Sequence, residues 1–318
     1  MGGPGENLFY KVFPDPFRKT LIEKPVIETV RIFTMKLDEF LPYYKAEYIS
    51  SRSNAKVVTL GKLSDKKHRD RESLFLADGV KLACEAVKYA HPEYLILAES
   101  ALDTSAAAET AELYKDAGLP IYVFSDAAFD KISVEKSPDG IIAALAYMTG
   151  LHRFTMRGDI SKFDDWQQNR HLLLLDSIRD PGNLGTILRS AEAMGITGVI
   201  LADCADIYNR KTVRAAMGTL FRMPLYITDS SVPLIGKMKD SGRRVLAAAL
   251  GEHTLTLGNY DVLENDCPVI GNEGHGLSAE VIDACTACVR IPMAGNTESL
   301  NAASAAVCIL WESYRKFR

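Results

Sequence analysis

Residues 171–195 read HLLLLDSIRDPGNLGTILRSAEAMG. Leu172 to Leu175 form an unbroken apolar run, the pattern of a strand covered on both faces. Pro181 and Gly182 end it, and Asn183 is placed to cap a following helix. Within that helix Leu184, Ile187, Leu188, Ala191 and Met194 recur at helical spacing, which makes one apolar stripe. At roughly 100° per residue, Arg189 falls nearly opposite the centre of that stripe, outside the helix's own core contact. Taken alone, Arg189 reads as a solvated arginine. A buried strand, a sharp turn and a packed helix in succession point to an α/β protein with a largely parallel sheet.

The same texture extends in both directions. Downstream, strands are expected at 171–175, 198–202, 224–227, 245–249, 268–270 and 288–291, with helices between them and a last helix over about 300–315. Upstream, Phe75-Leu76-Ala77, Tyr94 to Leu97, Ile121 to Phe124 and Ile141 to Tyr147 read as strands. Val80 to Tyr89 and Ala106 to Ala117 read as helices, the second ended by Gly118. Strands alternating with helices again imply a mainly parallel sheet. Residues 148–168 are poor in aliphatic side chains and read as a linker. Residues 1–45, with four prolines up to Pro25, read as an irregular extension. The expected organisation is an extension over 1–45, a smaller α/β domain over 46–150, a linker over 151–165 and a second α/β domain over 166–318.

At 318 residues and 47% hydrophobic content, the chain is long enough for two cores. A net charge of -4 with 25% charged residues excludes a globally basic nucleic-acid binder, so any contact with nucleic acid must come from a local patch. One exists: Arg52, Lys56, Lys62, Lys66, Lys67, Arg69 and Arg71 cluster, diluted by Asp65 and Asp70. By itself such a run is a solvated face. The six cysteines lie in apolar or helical contexts, which fits free thiols in a reducing compartment. Cys285-Thr-Ala-Cys288 has metal or redox spacing, but a zinc site needs a second pair of ligands and none is apparent, so no metal is expected. No apolar run reaches the roughly 18 residues of a membrane span, and the N-terminus lacks a charged-then-apolar leader pattern. A cytoplasmic location is the expectation.

Two further stretches follow expected strands. One is Val269-Ile-Gly-Asn-Glu-Gly-His-Gly-Leu-Ser278, the other Ile291-Pro-Met-Ala-Gly-Asn-Thr-Glu-Ser-Leu-Asn-Ala-Ala-Ser304. Glycine-bearing turns after strands let a ligand approach the backbone, and open α/β sheets bind ligands at such strand ends. Neither stretch is a GxGxxG fingerprint with a distant acid, so a nicotinamide-dependent oxidoreductase is disfavoured.

Together these blocks resemble the SpoU/TrmH family of RNA ribose 2'-O-methyltransferases, of the SPOUT superfamily. Asp180-Pro-Gly-Asn-Leu-Gly with Arg189-Ser-Ala and Gly195 is similar to the family's first motif. Ile270-Gly-Asn-Glu-Gly-His-Gly-Leu is similar to the second, and Ile291-Pro-Met with Glu298-Ser-Leu-Asn301 to the third. Thr212-Val-Arg-Ala-Ala-Met-Gly218 resembles the family's arginine- and glycine-containing stretch. More loosely, Ile49-Ser-Ser-Arg-Ser-Asn54 with Lys56, Phe75-Leu-Ala-Asp-Gly79 and Ser137-Pro-Asp-Gly140-Ile resemble the N-terminal substrate domain of two-domain members, itself similar to small α/β RNA-binding ribosomal proteins. Many relatives carry Glu-Gly at Asp78-Gly79, and the resemblance assigns Asp78 no role.

The resemblance implies a C-terminal α/β domain with a deep trefoil knot, a homodimer with the site near its interface, and S-adenosylmethionine as cofactor. It implies that Leu250, Gly251, Gly271, Asn272, Glu273, Gly274, Ile291, Met293, Ser299 and Leu300 hold the cofactor. It implies catalytic or orienting roles for Arg189, Asn183, Ser299, Asn301 and Glu273. Ser299 or Asn301 would also cap the last helix, and Ile291 and Met293 would also serve as core. An arginine is always protonated at neutral pH, so Arg189 is expected to hold a phosphate and stabilise charge on the ribose oxygen rather than act as a base. Beside such a domain, Arg52, Lys56, Lys66, Lys67 and Arg69 become phosphate contacts. Large-subunit ribosomal RNA is favoured as substrate over transfer RNA. A non-catalytic RNA-binding or ribosome-assembly factor is the remaining alternative.

Overall fold

The computed structural model describes residues 35–134, 139–148, 152–153, 171–295 and 299–317. The first unit runs α1 (Leu37–Tyr44), β1 (Glu47–Ile49), α2 (Ala55–Gly61), α3 (Lys66–Glu72), β2 (Leu74–Asp78), α4 (Val80–Tyr89), β3 (Pro92–Ala98), α5 (Ser105–Asp116), β4 (Ile121–Phe124), α6 (Asp126–Ile132) and β5 (Ile141–Ala146). Its five strands lie in the order β1-β4-β3-β5-β2. Strands β1, β4 and β3 are parallel, whereas β5 runs antiparallel to both β3 and β2. Since β5 alone is reversed, four of the five strands run the same way, and the sheet is mainly parallel with one antiparallel strand. The apolar run of β5 could not reveal this, because a central strand covered on both faces reads alike in either direction.

The second unit runs β6 (His152–Arg153), β7 (Leu172–Asp176), α7 (Pro181–Ala193), β8 (Gly198–Ala202), α8 (Arg210–Ala216), β9 (Leu225–Thr228), α9 (Val232–Asp240), β10 (Val245–Ala247), β11 (Thr254–Thr256), β12 (Cys267–Ile270), α10 (Ala279–Ala284), β13 (Ala287–Arg290) and α11 (Ala302–Lys316). Its eight strands are ordered β11-β13-β10-β12-β7-β8-β9-β6, and every neighbouring pair is parallel.

The opening stretch explains the layering. Leu172 to Leu175 are fully buried. Leu173 and Leu175 join one apolar cluster with Leu184, Ile187 and Leu188 of α7, while Leu172 and Leu174 join another with Leu234, Ile235 and Met238 beside α9. Alternate side chains thus bury on opposite faces, as a two-sided parallel sheet requires. Gly185 lets α7 and α8 touch at the backbone: a Cβ there would lie 2.5 Å from the Thr212 carbonyl oxygen. From β7, strands β8 and β9 lie to one side and β12 to the other. The winding reverses between β7 and β12, so the turns after those two strands face each other across the crevice where such sheets bind ligands.

Two boundaries differ from the sequence reading. Within the expected extension over 1–45, Leu37–Tyr44 is a helix with Phe40 and Tyr44 buried in the first unit, where the Tyr44 hydroxyl donates to the Ala108 carbonyl of α5. Eight residues with Pro42 among them are too short a periodic stretch to stand out from the extension before them. Residues 1–34 and most of the expected linker lie outside the described residues, but His152–Arg153 pairs with Tyr226 and Ile227 at the edge of the second sheet. Among the described residues no helix is long and apolar enough to cross a membrane.

Candidate active site

The cap of α7 is Asp180, not Asn183. The Asp180 carboxylate accepts from the Asn183 backbone N–H at 2.8 Å, and Pro181 takes the first helical position, where its fixed φ and missing N–H cost nothing. Asp180 is held in turn by Lys211 at 2.7 Å. That cation and the cap hydrogen bond keep its carboxyl below the ordinary value. The Asn183 side chain is thereby freed from capping and points elsewhere.

It bridges the other two glycine-bearing stretches. Asn183 Nδ2 donates to Glu273 Oε1 at 3.1 Å, and Asn183 Oδ1 accepts from Asn301 Nδ2 at 3.0 Å. Asn301 uses its own Oδ1 to cap α11, accepting from the N–H groups of Ala303 and Ser304. Glu273 also accepts from the N–H groups of Arg179 and Asp180, each at 3.1 Å. Burial opposes the charge on Glu273, but the hydrogen bonds from Asn183, Arg179 and Asp180 outweigh it, and the carboxyl sits below its ordinary value. Glu273 is thus an anchor that receives donors, not a free acid.

The second stretch is shaped by Asn272. Its Nδ2 donates to the Ser177 carbonyl at 2.8 Å, and its Oδ1 accepts from the N–H groups of Gly274 and His275. Gly271 must lack a side chain, since a Cβ would meet the Gly276 carbonyl carbon at 2.6 Å and the Leu277 N at 2.7 Å.

These turns enclose an open cleft of about 740 Å³ lined by Arg179, Asp180, Asn183, Asn272, Glu273, Gly274, His275, Ser299, Leu300 and Asn301. Seven expected residues therefore converge: Asn183, Asn272, Glu273, Gly274, Ser299, Leu300 and Asn301. Leu250, Gly251, Gly271, Ile291 and Met293 are not in the lining. Leu250-Gly251 follows β10 and Ile291-Pro-Met293 follows β13, neighbouring strand ends of the same sheet edge. Leu250 is 73% exposed, Met293 41% and Leu300 39%, and apolar side chains left open beside a polar cleft suit a flat aromatic ligand. Gly251 packs closely, its Cβ position 2.7 Å from Cys288 Sγ. Asn296, Thr297 and Glu298 of the third stretch lie outside the described residues.

Arg189 is exposed on α7 and does not line the cleft. It lies six residues along the helix from Asn183, roughly 9 Å at 1.5 Å per residue. Three cleft residues escaped the sequence reading. Asp180 and His275 lay inside quoted motifs without a role; Arg179, which forms a two-point ion pair with Asp203, carried only its position beside Asp180 as a signal.

The expected phosphate contacts divide. Arg52 and Lys67 are exposed, and Lys66 is exposed but paired with Asp70 at 2.6 Å. The half-buried Lys56 places its ammonium 4.5 Å and 4.0 Å from the ring centres of Tyr94 and Tyr122. Arg69 is withdrawn from the set: it is 2% exposed, and its guanidinium is spent on the carbonyls of Leu63 and Ser64 and on Asp206. Arg69 sits on the inward face of α3, a facing that a charge run cannot disclose. Cys285 and Cys288 are buried with their thiols pushed up by burial, Cys285 to about 12. Among the described residues no three His, Cys, Asp or Glu side chains gather as metal ligands would.

Comparison with known proteins agrees with this geometry. Residues 170–311 match the SpoU rRNA methylase family and residues 54–143 the MRM3-like substrate binding domain. The chain is 31% identical over 264 residues to the 23S rRNA (guanosine(2553)-2'-O)-methyltransferase RlmP of Bacillus subtilis, spanning 83% of this chain and 97% of that relative. It is 31% identical to the 23S rRNA (uridine(2479)-2'-O)-methyltransferase of Streptomyces viridochromogenes, over 80% of this chain and 87% of the relative. Among solved structures, the AdoMet-bound rRNA methyltransferase of Sinorhizobium meliloti superposes with a TM-score of 0.70 at 26% identity, covering 86% of this chain and 99% of that one.

Proposed function

The chain belongs to the SpoU rRNA methylase family, and from that premise we propose that it is an S-adenosylmethionine-dependent RNA ribose 2'-O-methyltransferase acting on large-subunit ribosomal RNA. The observation that carries the reading is Asn183, hydrogen-bonded at one end of its amide to Glu273 and at the other to Asn301. One side chain ties the turns after β7, β12 and β13 into a single cleft.

The residues present fit the cofactor. Backbone around Leu250-Gly251, Gly271 to Gly274 and Ile291 to Met293 would hold adenine and ribose, with Leu250, Met293 and Leu300 supplying apolar cover. When bound, S-adenosylmethionine supplies a methyl group already activated by a sulfonium charge. The chain's own work is alignment of the ribose hydroxyl and relief of the charge that grows on its oxygen. Ser299 and Asn301 sit at the cleft to orient the hydroxyl. Glu273 ties the second turn to the first, and Asn183 ties the first to the third. Glu273 accepts three hydrogen bonds and its carboxyl lies below the ordinary value, so we assign it no proton transfer.

The Arg189 guanidinium would hold the phosphate beside the target ribose, a task suited to its planar fork. Its place outside the cleft of its own subunit favours supply from a second copy, so we propose a homodimer with Arg189 of one protomer facing the cleft of its partner. The finer reading further includes a trefoil knot in the second unit, the first unit as RNA-binding domain with Arg52, Lys66 and Lys67 as phosphate contacts, domain limits near 46–150 and 166–318, and action in the cytoplasm. Mapping of 2'-O-methyl positions in ribosomal and transfer RNA from cells with and without the gene tests the substrate. Loss of one ribosomal RNA methyl is expected. Loss confined to transfer RNA would overturn the choice of substrate, and no loss with retained ribosome defects would favour the assembly-factor reading.

A further inference from the structure

Among the described residues, ion pairs from Asp78, Arg69 and Glu85 join the first unit to one short segment of the second. Asp78, at the end of β2, forms a two-point pair with Arg210, the first residue of α8; the side chains are 11% and 8% exposed. Arg210 also donates to the Ile132 carbonyl. Arg69 of α3 pairs with Asp206 at 2.7 Å. Glu85 of α4 pairs with Arg222, whose remaining nitrogens grip Glu192 at 2.6 and 2.8 Å. Between them Tyr208 stacks on Tyr147 at 4.0 Å and 12°, lies 4.7 Å from Phe75, and accepts the Met148 N–H at 2.9 Å.

The segment holding Asp206, Arg210 and Arg222 is not a passive surface. Helix α8 meets α7 at Gly185 without an intervening side chain, and Glu192 lies on α7 itself. Arg222 therefore links α4 of the first unit directly to the helix that carries Asn183 and Arg189. Buried ion pairs are poor sources of net stability, because desolvation offsets the attraction. The forked Asp78–Arg210 pair instead fixes orientation, which apolar contact alone does not, and the single-point pairs of Arg69 and Glu85 pin the two units at two further places.

We propose that Asp78, Glu85 and Arg69, through Arg210, Arg222 and Asp206, set the distance and angle between the RNA-holding face of the first unit and the cleft. They thereby act as positioning residues that select which ribose is methylated. This rests on the methyltransferase reading above. The RNA would be held by the first unit as a folded shape, and the clamp would convert that grip into one reachable hydroxyl. A loosened clamp presents several neighbouring riboses, each less often.

The test uses the full chain and a folded large-subunit RNA fragment. Asp78→Asn with Arg210→Met removes the deepest pair without stranding a charge. Glu85→Gln is the milder variant, since Arg222 keeps Glu192 and folding is not at stake. Both should bind S-adenosylmethionine within about twofold of the wild type. In both, kcat at the wild-type nucleotide should fall with KM for RNA little changed, on the order of tenfold in the double variant, the scale of a lost alignment. Methylation mapped by mass spectrometry should spread to adjacent nucleotides. A merely structural pair would lower the melting temperature and move neither kcat nor position. Folded variants that still methylate one nucleotide at wild-type kcat would overturn the proposal, and Glu85→Gln decides it alone if the double variant does not fold. A wild type that transfers no methyl to any RNA would instead refute the underlying reading.

Discussion

Glu273→Gln is the perturbation most sharply defined by the cleft. The carboxylate accepts three hydrogen bonds, two at Oε1 and one at Oε2. In glutamine one oxygen can still serve Asp180 and Asn183, but the new NH₂ group then faces the Arg179 N–H, donor against donor. One bond is lost and two pass from a charged to a neutral acceptor, which is roughly half as strong. With about 1 kcal/mol for the lost bond and about 0.5 kcal/mol for each weakened one in this exposed setting, the turn is destabilised by about 2 kcal/mol. If that turn is marginally stable in the free protein and the cleft binds only with it in place, affinity falls by up to about 30-fold. Calorimetry with S-adenosylmethionine reads the affinity, and thermal melting shows that the core beneath, Leu184 and Ile187, is intact. A dissociation constant within twofold of the wild type would refute the anchoring role. The acid limb follows with a definite sign. The folded-state carboxyl lies below its ordinary 4.5, so the stabilisation is fully present above about pH 4.5 and is lost as pH falls through the lower folded value. Binding should be flat from pH 8 to 5 and decline below about 4.5, and Glu273→Gln should remove the upper part of that decline and leave the lower limb set by Asp180.

Arg189→Ala should retain cofactor binding and lose methyl transfer by about 100-fold or more, and Arg189→Lys should not restore it. Mixed with Asn301→Ala, it should regain part of the activity if the two subunits share a site; a mixture no better than its parts would contradict the shared arrangement. Asn301→Ala alone removes a helix cap and the Asn183 bridge and should cost about 1 kcal/mol in unfolding, measured by denaturant titration. Lys66→Glu with Lys67→Glu should weaken RNA binding and flatten its dependence on salt, and an unchanged slope would exclude both as phosphate contacts.

The sequence disclosed what depends on local pattern. The run Leu172 to Leu175 and the stripe through α7 are set by burial on two faces and one face, so strand and helix followed directly. It disclosed poorly what depends on a partner distant in the chain. Asp180 and Asn183 are both good caps, and only the approach of Glu273 and Asn301 decides which of them is released for other work. Arg69 lies in a run of cations indistinguishable from its neighbours until Asp206, 137 residues away, claims it. Asp78, left without a role by its sequence, meets Arg210 at a separation of 132 residues. The antiparallel course of β5 was invisible for a related reason: direction is set by pairing, not by hydropathy.

The most direct measurement is transfer by the purified chain from methyl-labelled S-adenosylmethionine to large-subunit ribosomal RNA, followed by alkaline hydrolysis. A methylated 2'-oxygen cannot attack the adjacent phosphate, so the label should emerge in alkali-resistant dinucleotides and disappear with Arg189→Ala. Label released on mononucleotides would place the methyl on a base, and would contradict the claim that the cleft of Asn183, Glu273 and Asn301 acts on a ribose hydroxyl.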